Sequence, residues 1–169
     1  MKQIMIILTL LAVLDLQAQK KEIRLHGFSQ GVSSGIRKST VDEKGEMITE
    51  KKSGRKTLLL FLESPAGVKL NVTELWINGE KYRFEINPEK SPVLMNTGLS
   101  MPGQEEKALI PKTDHQINRI VPLEKMATTE KPKRKIVMKN PVVVFYTVNG
   151  KSCYRSLGKL EILPDMVNE

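Results

Sequence analysis

Val68-Lys69-Leu70-Asn71-Val72-Thr73-Glu74-Leu75-Trp76-Ile77-Asn78-Gly79-Glu80-Lys81-Tyr82-Arg83-Phe84-Glu85-Ile86 decides the fold. Two segments with apolar residues at period two flank Asn78-Gly79, and that dipeptide suits a tight type I′ turn because both residues tolerate positive φ. The turn sets the register. Ile77 pairs with Glu80, Trp76 with Lys81 and Leu75 with Tyr82, and opposed residues share a face. Thr73, Leu75, Ile77, Tyr82 and Phe84 then form a core-facing row. Glu74, Trp76, Lys81 and Arg83 form the other row, which reads as wet, with Glu74 opposite Arg83. A slip of one residue would exchange the two faces.

The same logic repeats along the chain. Val142 to Val148, Asn149-Gly150 and Lys151 to Arg155 make a second hairpin. Thr57-Leu58-Leu59-Leu60-Phe61-Leu62 is continuously apolar, as expected of a central strand covered on both faces. Ile23 and Leu25 alternate with Glu22, Arg24 and His26, and the Gly/Ser-rich run 27–35 reads as a loop. Segments 36–41 and 46–52 suggest a polar hairpin. Pro92 to Asn96, Lys107 to Pro111, Arg119 to Leu123 and Lys159 to Leu163 are weaker strands. Residues 97–106 read as a polar loop and 127–134 as a Lys/Pro/Thr linker. Apolar residues do not recur at the helical period after the N-terminus. Many short strands with no helical layer must bury sheet against sheet. The sequence therefore predicts an all-β fold, an antiparallel β-sandwich, immunoglobulin-like in outline. A β-barrel is the alternative.

The N-terminus is different. Met1-Lys2-Gln3 precedes an apolar run from Ile4 to Leu14, and Asp15 ends it. A cation followed by a short apolar run and a small residue at Ala18 is the layout of a helical secretory signal peptide. The run falls short of the roughly 20 residues that cross a bilayer. The expectation is a signal over 1–18 and one β-sandwich domain over 19–169, periplasmic or secreted, with no integral membrane span once the signal is removed.

The chain carries a formal net charge of +8 and a pI near 9.6. Such a balance fits an anionic partner. Export argues against nucleic acid and leaves an anionic glycan or another envelope protein. The single cysteine, Cys153, excludes an internal disulfide, so packing must hold the fold. A lone cysteine in a strand reads first as a small core residue.

Gly27-Phe28-Ser29-Gln30-Gly31 matches G-x-S-x-G and resembles the serine motif of the α/β-hydrolase family. That resemblance implies Ser29 as a nucleophile on a strand-to-helix elbow, with His26 or His115 as base. The chain departs from the family's pattern: Val32-Ser33-Ser34-Gly35 is a poor helix start, and only one short strand precedes the serine. Two histidines and one cysteine give no zinc spacing, no Asp-rich calcium loop is present, and no cofactor is expected. Two basic runs remain, Lys51 to Lys56 and Lys131-Pro132-Lys133-Arg134-Lys135. Aromatics are not interleaved with them, which argues against a single-stranded nucleic-acid platform.

These readings converge on an exported, non-enzymatic binding or accessory module of the cell envelope. Its candidate contact residues are Trp76, Lys81, Arg83, Lys131, Lys133, Arg134 and Lys135. A structural subunit that assembles by strand addition and an envelope hydrolase using Ser29 are the alternatives.

Overall fold

The computed structural model describes residues 22–34, 39–41, 47–49, 55–96, 107–127 and 135–168. The expected signal over 1–18 and the cations Lys131, Lys133 and Arg134 lie outside these residues. The strands are β1 (Arg24–Ser34), β2 (Ser39–Val41), β3 (Met47–Thr49), β4 (Arg55–Ser64), β5 (Leu70–Ile77), β6 (Glu80–Glu89), β7 (Val93–Leu94), β8 (Ala108–Ile110), β9 (Gln116–Lys125), β10 (Val142–Val148), β11 (Lys151–Leu157) and β12 (Glu161–Asn168). A short helix, α1 (Lys135–Lys139), precedes β10. No helix among the described residues is long and apolar enough to cross a membrane.

Both Asn-Gly turns form as their chemistry requires. Asn78 and Gly79 have φ of 51° and 80°, and Asn149 and Gly150 have φ of 50° and 75°. The β5–β6 register places Leu75 against Tyr82, Trp76 against Lys81 and Ile77 against Glu80, which is the pairing the turn dictates.

The all-β class holds, but the layering differs from the sandwich. Eight long strands join a single sheet in the order β11-β10-β5-β6-β9-β4-β1-β12. It is mixed rather than purely antiparallel, because β1 and β12 run parallel. Two small ribbons, β2–β3 and β7–β8, stand apart from it. The large sheet curls into a half-barrel. Its curl shows in the core: Leu60 and Leu62 of β4, Ile120 of β9, Val72 and Leu75 of β5, and Val142, Val144, Tyr146 and Val148 of β10 belong to one cluster. A sheet that wraps onto itself buries its concave face without a second sheet. That is why alternation along each strand was compatible with either arrangement. The gap between β11 and β1 is bridged by Arg155, whose Nε donates to the Ile23 carbonyl at 2.6 Å.

Two local readings are corrected. The Gly/Ser-rich run is not a loop, since β1 continues unbroken through Ser34. A Cβ on Gly31 would collide with the Asp165 carboxylate of β12, and one on Gly27 would lie 2.9 Å from Leu160 Cδ2 and 3.2 Å from Leu60 Cδ2. These glycines admit neighbouring strands rather than mark a turn. Thr73 is exposed while Val72 is buried, because the β10–β5 ladder shifts register between Phe145 and Tyr146. A bulge of this kind moves the following residues to the opposite face.

Tyr146 lies at 0 % exposure in the inner core, and its hydroxyl has no hydrogen-bond partner among the described residues. Burial pushes its ionisation above the usual phenol range. Burying an unpaired hydroxyl costs free energy, so Tyr146→Phe is expected to stabilise the fold by about 1 kcal/mol. Urea denaturation of the two proteins measures this, and a loss of stability would show that the hydroxyl is satisfied.

Candidate functional site

The convex face of the sheet carries the chemistry. The β1–β4 ladder pairs Arg24 with Glu63, His26 with Phe61 and Phe28 with Leu59. The β4–β9 ladder adds Arg119 beside Phe61 and Ile117 beside Glu63. Opposed residues share a face, so these side chains form contiguous rows. Phe28, Phe61, Ile117 and Leu163 make an outer apolar cluster, covered from above by Val93 of β7 and Ile110 of β8. Ser91 ties down this cover, since its Oγ donates to the Thr113 carbonyl at 2.7 Å and accepts from the Thr113 amide at 3.0 Å.

At one end of this face, Glu63 sits between two imidazoles. Its Oε2 is 2.8 Å from His26 Nε2, and its Oε1 is 2.8 Å from His115 Nδ1. The Glu63 side chain is 5 % exposed, and the rings are 26 % and 23 % exposed. An ionised carboxylate only accepts, so each facing nitrogen must carry its proton. Burial is the largest influence on Glu63 and raises its pKa. The hydrogen bonds from His26 and His115, with the nearby charges of His26 and Arg24, together outweigh it and hold the group below the ordinary carboxylate value. The arrangement clamps the segment before β9 to β4 and β1. Each ring meets a different oxygen, and no group of three such residues among those described is arranged to hold a metal. Nor does either ring bond a hydroxyl or thiol among the described residues.

Further along the same face lies a pocket of about 450 Å³. Its apolar wall includes Leu59 and Phe61 of β4, Val93 of β7 and Leu109 of β8. Its charged residues are Arg119, Glu89 and Lys90. Gln30, 4 % exposed, closes one side and is held there by donating to the Asn96 carbonyl at 2.7 Å.

Ser29 lies in mid-strand, paired with Leu58 on one side and Ile162 on the other. No strand-to-helix corner exists there. Cys153 is half-buried and packs against the inner core.

The Trp76 row is assembled as the hairpin register requires, but Trp76 is half-buried rather than exposed. It packs with Ile136 against the small cluster of Val137, Val143 and Phe145. The reason is α1, which lies over this part of the convex face. Trp76 Nε1 donates to Glu74 Oε2 at 2.9 Å, Lys81 Nζ donates to Glu74 Oε1 at 3.1 Å, and Lys81 stands 5.8 Å from the Trp76 ring centroid. The β5–β6 ladder runs from Ile77–Glu80 to Leu75–Tyr82 and does not extend to Glu74 and Arg83. Arg83 pairs with Glu124 of β9 at 2.9 Å, where the β6–β9 ladder shifts register between Tyr82 and Phe84. Lys135 is exposed at the start of α1.

The chain matches no known family model, no curated protein and no solved structure. Any functional reading therefore rests on its own residues. The sequence reading missed Glu63 as the residue that gathers His26 and His115. The signal was available in principle: extending β1 through Gly27 in register with β4 sets Arg24 against Glu63 and leaves His26 one diagonal away.

Proposed function

We propose that this is an exported, non-enzymatic binding module of the cell envelope that recognises an anionic glycan through displayed cations. The observation that carries this reading is how the charges are used. Glu63, Glu74, Glu80, Glu89, Glu124 and Glu161 are each engaged with a basic side chain. Arg24, Arg55, Lys56, Lys69, Lys90, Lys112, Lys135, Lys139, Lys151 and Lys159 are exposed and make no ion pair among the described residues, and they outnumber the exposed acids without one, Glu22, Glu85, Asp114 and Asp165. The positive surplus is thus left at the surface. There it raises the local concentration of polyanions and speeds their encounter. The histidine–carboxylate cluster is engaged in holding three chain segments together, which supports binding over catalysis.

Lys135, the last cation of the run 131–135, is the first residue of α1, and the next residue, Ile136, packs against the same cluster as Trp76. Replacing Lys131, Lys133, Arg134 and Lys135 together by glutamine is expected to weaken binding to immobilised lipopolysaccharide about tenfold in low salt. Raising the salt should shrink that difference. Equal retention of both proteins in low salt would reject the proposal.

A further inference from the structure

The pocket beside the β7–β8 ribbon has an asymmetry that specifies a ligand class. Its wall of Leu59, Phe61, Val93 and Leu109 is apolar, and Arg119 lines the same space. Arg119 is half-buried. Its sole ion pair among the described residues is with Glu89 at 3.8 Å, longer than a hydrogen bond. Its guanidinium makes no hydrogen bond among the described residues, although it carries several N–H donors in a rigid fork. A half-buried fork with unspent donors is suited to a carboxylate, which it can bind through two parallel hydrogen bonds. Lys90 adds a second positive charge at the exposed rim. Among the described residues the only carboxylate set against them is that of Glu89, so the described lining carries net positive charge. The volume, about 450 Å³, falls within the range of small-molecule sites.

We infer that this pocket binds a monoanionic amphiphile, an alkyl carboxylate whose head group pairs with Arg119 and whose chain lies along Leu59, Phe61, Val93 and Leu109. The apolar wall supplies affinity through buried area. The guanidinium supplies selection for the anion. This site is separate from the surface cations at 131–135, and it stands or falls without them.

Calorimetric titration of the whole chain with monomeric decanoate and with decanol tests the assignment. Decanoate is expected to bind at least about tenfold more tightly than decanol. Arg119→Gln should bring decanoate down to the decanol level and leave decanol unchanged. Leu94→Ala, at the apolar lip, should weaken both ligands alike. Lys90→Gln changes an exposed side chain and should cost decanoate a few-fold, which provides a reading even if the Arg119 variant were poorly folded. Equal affinities for the two ligands, an unchanged decanoate affinity in both charge variants, or no binding of either ligand would overturn the assignment.

Discussion

Glu63→Ala is expected to cost about 3 kcal/mol of folding stability. The carboxylate accepts from His26 and His115 at 2.8 Å each, and hydrogen bonds to a charged group contribute about 1.5–3 kcal/mol apiece. The upper end of their sum is not reached, because both rings are about a quarter exposed and can bond water once the partner is gone. Glu63→Gln should cost about half as much as the alanine change, since an amide oxygen can accept from one ring while its nitrogen faces the other. The pH dependence follows from the direction of the shift. The Glu63 carboxyl is held below its ordinary value in the folded protein, so the unfolded chain binds the proton more readily. Its stabilising contribution is complete above the unfolded pKa of about 4.3 and is lost as pH falls through the lower folded value. Wild type and Glu63→Gln should therefore differ most near neutrality and converge in acid. Urea denaturation across this pH range measures both effects. A Glu63→Ala protein within about 0.5 kcal/mol of wild type would show that the clamp contributes nothing.

Gly27→Val is expected to be comparably damaging, at about 3 kcal/mol. A Cβ at Gly27 meets side chains from three directions: Leu157 at the end of β11, Leu160 beyond it, and Leu60 of β4. Leu60 is at 0 % exposure and has no space into which to retreat. Leu157 and Leu160 are only partly buried, so alanine at this position should cost less, about 1 kcal/mol. Valine adds branches that these leucines cannot clear together. The strain falls where β11 closes onto β1 and would part Arg155 from the Ile23 carbonyl. Pairing Gly27→Val with Leu157→Ala should recover part of the loss, a non-additivity expected of residues in contact. Thermal melts of the single and double variants decide the matter. Strict additivity would mean that the two side chains do not meet.

Local chemistry made much of this fold legible. Asn78-Gly79 and Asn149-Gly150 set their own hairpins, and the unbroken apolar run 57–62 announced a strand covered on both faces. What escaped was written in distant segments. Gly27 and Gly31 look like a loop until Leu157, Leu160 and Asp165 are seen to approach them. Thr73 reads as core until the bulge against β10 turns it outward. Alternation reports that one face is buried without reporting what covers it, so a curled single sheet and a two-sheet sandwich share one signature. At the candidate sites, the Trp76 row had the right register. Its exposure was misjudged because Val137, on a helix of a single turn, covers it after a stretch that reads as linker. His26, Glu63 and His115 are scattered along the chain, and only the ladder order β1-β4-β9 unites them.

The parallel partnership of β1 with β12 sets an order on the birth of the molecule. Phe28 lies beside Glu161 and Val32 beside Met166, so one flank of β1 waits for residues added more than a hundred positions later. Contacts so remote in sequence form slowly, since a long loop must close before they repay it. A nascent chain therefore carries β1 with an open backbone rim until β12 is made, a rim able to pair with a stranger.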